Sequence, residues 1–178
     1  MLSRQLDNPA TGDRTTILTS PLTGQAGPLR FRTTLPPGAA GSPVHRHGRL
    51  TESFAVEAGT LAFWTKGHWE QLCAGDSITV HPGEAHGFRN DSDADVTFVC
   101  TVAPGDGFER FLRIMTGLAV EGRTRADGMP RSLAALALAI RQADLTLAAL
   151  PGWAQQPLLA IMARQASKQG LDRFWRQS

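Results

Sequence analysis

The sequence predicts a mainly β fold, a sandwich or barrel of short strands, followed by a helical extension. Two observations carry this. Short β-type runs recur at roughly 8–12-residue spacing between turn signals, and near Pro104 the apolar period changes from that of a strand to that of a helix. Of the 178 residues, 42% are hydrophobic and 19% charged, enough apolar material for a core and too little charge for disorder.

The strand runs come in order. Leu29–Leu35 ends at Pro36-Pro37-Gly38. Phe54–Val56 and Leu61–Trp64 flank Glu57-Ala58-Gly59-Thr60, a hairpin signal, and Lys66-Gly67 marks the turn before Trp69–Cys73. Ser77–Val80 and Val96–Val102 complete the set, with Pro82-Gly83 and Asn90–Asp93 as loops. Beyond Pro104, Phe108, Phe111, Leu112, Met115, Leu118 and Ala119 form an amphipathic stripe. Ser132 is placed to cap a second helix through Leu133–Ala149, which Pro151-Gly152 stops; a third runs from about Pro157 to Gln169, ending at Gly170.

This divides the chain into residues 1–104, a β domain with an N-terminal arm, and residues 105–178, a helical extension. The first part holds all five histidines and carries 8 Lys and Arg against 10 Asp and Glu; the second carries 10 against 6, spread at helical intervals as on a solvated face. The net charge of +2 gives no reason to expect nucleic acid or an anionic membrane as partner. The longest apolar run, Leu133 to Ile140, is far short of the roughly 20 residues that span a bilayer. The N-terminus shows no secretory h-region. Cys73 and Cys100 read as two reduced, buried thiols, and the expected location is cytoplasmic.

Four histidines fall in two clusters, His45-Arg46-His47 and His81-Pro82-Gly83-Glu84-Ala85-His86. Spacing of i, i+2 on a strand puts the His45 and His47 imidazoles on one face. Glu52, five residues on, is far enough along to turn into the next strand and face the same interior. Imidazoles plus a carboxylate suit one divalent transition metal (Fe, Mn, Ni, Cu, Co or Zn) and not Mg or Ca. The expected ligands are His45, His47, Glu52 and His86, since four such groups buried together without a partner would be costly. His81 and His68 are expected at the surface. Arg49 and Thr51 are expected in a solvated loop at the barrel mouth.

These residues carry a family resemblance. AAGSPVHRHGRLTESFAVEAG, Ala39 to Gly59, resembles the first cupin motif, with His45, His47, Glu52 and Gly59 in register; GDSITVHPGEAHGFRN, Gly75 to Asn90, resembles the second, through Gly75, Gly83, His86 and Asn90. The pattern departs at Ala39, where the motif has Gly, and at His81, where it has Pro, neither of them a ligand position. NPATGDRTTIL and PGDGFERFLRIMTGLA are similar to the ends of small bacterial single-domain cupins with helical C-termini, a group called quercetin-dioxygenase-like. The resemblance implies a jelly-roll β-barrel over about residues 14–104 with three helices after it. It also implies a metal-dependent dioxygenase in which Glu52 serves as catalytic base. Phe88, two residues past His86, is expected to line a cavity for a small aromatic or apolar molecule. The other readings are a non-redox isomerase, lyase or hydrolase using the ion as Lewis acid, and a binding or sensing cupin without turnover. A homodimer is expected, because the apolar helix Leu133–Ala149 needs burial on more than one side.

Overall fold

The computed structural model describes residues 2–147 and 152–175. Ten strands come first: β1 (Gln5–Asp7), β2 (Arg14–Thr19), β3 (Leu29–Leu35), β4 (Ser42–His47), β5 (Thr51–Ala58), β6 (Thr60–Thr65), β7 (His68–Cys73), β8 (Ser77–Val80), β9 (His86–Arg89) and β10 (Val96–Ala103). Then follow α1 (Asp106–Val120), α2 (Leu133–Gln142), β11 (Leu145–Leu147) and α3 (Gly152–Lys168). The strands form two antiparallel sheets, in the orders β1-β2-β3-β10-β5-β8 and β11-β4-β9-β6-β7. The fold is mainly β, a jelly-roll barrel with helices mostly C-terminal to it, as the change of period at Pro104 predicts.

The barrel core comes from the inward positions of alternating strands. β3 buries Leu29, Phe31, Thr33 and Leu35 and turns the residues between them outward. Phe54 meets Phe63 edge-on at 5.0 Å and Phe98 at 5.9 Å, and Phe88 meets Phe98 at 5.3 Å. Each buried Phe contributes about 1.5–3 kcal/mol of transfer free energy. The β5–β6 hairpin closes through Gly59 at φ +78, where a Cβ would come within 2.7 Å of the Asp95 carbonyl oxygen. That close approach leaves only Gly at this turn. Asn90 clasps the base of the barrel: its amide donates to the carbonyls of Leu35, Pro36 and Ala94.

A second apolar cluster joins the helices through Ile114, Leu118, Ala135, Leu138, Ala139, Ala163, Ala166 and Leu171. Four of these are alanines, which let the helix axes approach closely. No helix among the described residues is long and apolar enough to cross a membrane.

Three readings need correction. The segment Leu133–Ala149 is not one helix. Ser132 does cap α2, accepting from the Ala135 amide, but the helix ends at Gln142 and the chain turns into β11; residues 148 and 149 lie outside the described part. Pro157 does not begin α3 but sits inside it. The apolar stripe of α1 packs as expected, with Phe111, Leu112 and Met115 half-buried against the two clusters, and the buried face also includes Glu109 and Arg113, an ion pair at 2.6 Å. Cys73 is exposed; Cys100 alone is buried, and burial, with Glu52 nearby, pushes its thiol pKa well up.

Candidate metal centre

The local sequence sets each side chain of the tetrad. On β4, Val44 and Arg46 alternate with His45 and His47, so both imidazoles point inward. His86 opens β9, which pairs with β4 so that His45 and His86 are direct cross-strand partners. Glu52 comes from the opposite sheet, on β5, and faces them across the barrel. All four residues are at most 5% exposed. His45, His47, Glu52 and His86 each offer one ligand atom, and these atoms lie within 4.8 Å of one another.

The hydrogen bonds decide which atoms those are. Nδ1 of His45 lies 2.7 Å from the Pro43 carbonyl oxygen, Nδ1 of His47 lies 2.7 Å from that of Ala143, and Nδ1 of His86 lies 3.2 Å from that of Glu84. A carbonyl only accepts, so each Nδ1 carries a proton, and Nε2 is the atom each ring turns inward as the available ligand. There, His45 Nε2 is 3.0 Å from His47 Nε2. Oε2 of Glu52 is 3.0 Å from His47 Nε2 and 2.8 Å from His86 Nε2. Three lone pairs and a carboxylate this close require positive charge among them, either a metal ion or protons on the imidazoles.

The spacing fits a metal ion. Bonds of about 2.0–2.2 Å at right angles give ligand edges of about 2.8–3.1 Å, whereas a tetrahedral set gives about 3.3–3.6 Å. The three edges above match the shorter spacing.

The electrostatics agree. Burial, helped by the charges of His86 and His47, lowers the His45 pKa to about 3, which keeps that ring a neutral donor. Burial alone would raise the pKa of Glu52, but with protons in place of an ion on Nε2 of His47 and His86, hydrogen bonds from both outweigh it and hold the carboxyl at about 2. Aromatic rings wall the tetrad: Phe63 stacks on His86 at 6.3 Å, Phe54 lies 6.3 Å from the same ring, and Phe108 of α1 meets His47 at 5.8 Å.

The other residues singled out in the sequence stand apart. His81 and His68 are exposed, and the His81 amide donates to Glu84 Oε2 in its own turn. Arg49 is exposed and reaches Asp144, and Thr51 is half-buried at the start of β5. Phe88 contacts Phe54 and Phe98, and so belongs to the core as much as to a cavity wall. Sequence reasoning missed the carbonyls of Pro43, Glu84 and Ala143, since a backbone acceptor has no residue signature. It also missed β11, whose Leu145-Thr146-Leu147 alternation was the available signal.

Residues 31–102 match the family described as Cupin domain. These residues therefore form a cupin domain. Several solved structures are similar to part of the chain. A predicted oxalate decarboxylase from Thermotoga maritima is 23% identical, over 57% of this chain and 91% of its own, with a TM-score of 0.48. A sugar phosphate isomerase from a cupin superfamily, from Silicibacter pomeroyi, is 26% identical over 57% and 65%, with a TM-score of 0.47. The cupin domain of an XRE family transcriptional regulator from Enterobacter cloacae is 25% identical over 51% and 94%, with a TM-score of 0.43. No curated protein matches the chain.

Proposed function

We propose that this protein is a metal-dependent dioxygenase acting on a small aromatic or apolar molecule, with His45, His47, Glu52 and His86 as the ligands of one divalent ion. The observation that carries the reading is the convergence of three Nε2 atoms and one carboxylate oxygen, with neighbouring atoms 2.8–3.0 Å apart. His45, His47, Glu52 and His86 would hold the ion, which would supply the redox chemistry between dioxygen and the substrate.

The chain's own residues do the rest. The three carbonyls hold the imidazoles in one tautomer, and Phe54, Phe63 and Phe108 exclude water from the centre. Three neutral imidazoles and one carboxylate leave a divalent site with one surplus positive charge, which suits a phenolate. Glu52, ionised at neutral pH, would be the base that takes the phenol proton.

The same reading includes organisation. Residues 1–104 would form the cupin unit and 105–178 an extension that returns β11 to the barrel sheet. Val120, Leu133 and Ile161, exposed on the three helices, support a homodimer with a helical interface.

The test is metal analysis of protein purified without added metal, followed by oxygen uptake against a panel of phenols. Iron, nickel or copper with uptake supports the dioxygenase. Zinc without uptake supports a non-redox isomerase, lyase or hydrolase, and bound metal with ligand binding but no product supports a sensing role.

A further inference from the structure

Two of the three histidines find their carbonyl acceptor locally: His45 from Pro43 and His86 from Glu84, each two positions away. His47 takes its acceptor, Ala143, from 96 positions along the chain. The geometry of that remote turn is specific. α2 stops at Gln142, Ala143 is fully buried, and Asp144 adopts φ 50, a left-handed conformation. This reversal aims the Ala143 carbonyl at Nδ1 of His47.

Several contacts hold the turn against the metal strand. The Gly48 amide donates to the Asp144 carbonyl at 3.3 Å, and Arg49 Nε donates to the Asp144 carboxylate at 3.3 Å. β11 then pairs with β4, so that Leu145, Thr146 and Leu147 oppose His47, Arg46 and His45. The Thr146 hydroxyl donates to the Arg46 carbonyl at 3.4 Å. On the other side, Gly107 of α1 leaves no room for a Cβ against the Gln142 carbonyl, and the next residue, Phe108, packs on the His47 ring.

We propose that the Ala143–Asp144 turn is a positioning element of the metal centre. By fixing the tautomer and tilt of His47 it raises the affinity of the tetrad for a divalent ion. By linkage, the bound ion in turn secures the turn and β11 on the barrel. This rests on the metal reading above.

The experiment titrates Co(II) into the full-length, chelator-stripped protein, wild type and three variants. Asp144→Gly keeps φ 50 without strain and loses only the reach to Arg49. Asp144→Pro forces φ near −65° and moves the turn. Thr146→Pro removes an amide donor from β11. Asp144→Pro and Thr146→Pro are expected to bind Co(II) about 10- to 100-fold more weakly with a shifted visible band, and Asp144→Gly to stay within about threefold of wild type. In the wild type, Co(II) is expected to slow amide hydrogen exchange at residues 144–147 about tenfold or more.

Asp144→Pro that folds, by circular dichroism, and binds Co(II) like wild type overturns the proposal. Should both proline variants fail to fold, the exchange measurement decides: protection raised by Co(II) supports it, and unchanged protection overturns it. A wild type that takes up no Co(II) fails the metal reading itself, and the positioning role falls with it. A wild type that binds while folded variants are indifferent sinks the positioning role alone.

Discussion

Glu52 Oε2 stands 2.8 Å from Nε2 of His86, although the two residues come from opposite sheets of the barrel. The contact is possible because β5 runs between β10 and β8 in one sheet while β9 runs between β4 and β6 in the other. The tetrad therefore depends on both sheets keeping their register. A one-residue slip of β5 would turn Glu52 out and Ser53 in.

His47 touches two other members, His45 and Glu52, and also the remote Ala143 carbonyl. His47→Ala is expected to weaken metal binding by more than about 100-fold, beyond the loss typical of an outer partner. The barrel is expected to stay folded, because its core is built from Phe54, Phe63, Phe98 and their neighbours. Metal content of the purified variant checks this, and full retention would remove His47 from the ligand set.

The metal-free protein is expected to lose stability as pH falls from about 6.5. His45 has its pKa lowered from 6.5 to about 3, so between those values the unfolded chain binds a proton that the folded chain does not. Glu52, lowered from 4.5 to about 2, acts in the same direction: its contribution is present above 4.5 and is lost as pH falls through 2. At about 1.4 kcal/mol per pH unit, His45 alone accounts for on the order of 3 kcal/mol between pH 6.5 and 4. Urea unfolding of chelator-treated protein at several pH values measures it, and a flat profile would contradict the burial of a neutral His45.

The barrel was legible where the signal is local. Leu29–Leu35 and Ser77–Val80 match β3 and β8 residue for residue, since turn residues bound both. The tetrad was legible because two of its ligands share a strand face and the others fall in register with cupin motifs. β9 was not read as a strand: it is four residues long and includes Gly87, needed because a Cβ there would meet the Ser42 carbonyl oxygen at 2.9 Å. β11 was hidden in an Ala- and Leu-rich run whose composition favours helix, and its strand geometry depends on pairing with β4. The buried Glu109–Arg113 pair has the i, i+4 spacing of an ordinary solvated face, and only tertiary contact distinguishes the two.

The helical surface carries the oligomer prediction. Leu133 and Ile161 are 69% and 65% exposed on α2 and α3. Light scattering is expected to give about 38 kDa, twice the chain mass of 19.1 kDa. Leu133→Glu with Ile161→Glu is expected to shift the protein to the monomer without loss of helix content. A wild type running at the monomer mass would end the homodimer reading.

Glu109 joins the N-terminal arm to α1, and its removal tests how firmly. Its carboxylate is fully buried and accepts from the Ser20 hydroxyl at 2.8 Å and from Arg113 Nε at 3.0 Å, with the Leu22 amide at 3.4 Å. Arg113 in turn donates to the Ser3 carbonyl at 2.9 Å, so one ion pair ties the segments on both sides of β1 and β2 to the helix. Glu109→Ala strands the Arg113 guanidinium without its counter-charge, which is expected to cost about 3–5 kcal/mol. Ser20→Ala removes one donor to a carboxylate that keeps its other partners and is expected to cost about 1–2 kcal/mol. The double replacement of Glu109 and Arg113 by apolar residues of similar size is expected to recover most of the loss, because no charge is then left buried. Urea midpoints for the three variants decide between a pair that stabilises the fold and one that merely must not be broken: a double variant as unstable as Glu109→Ala would favour the first.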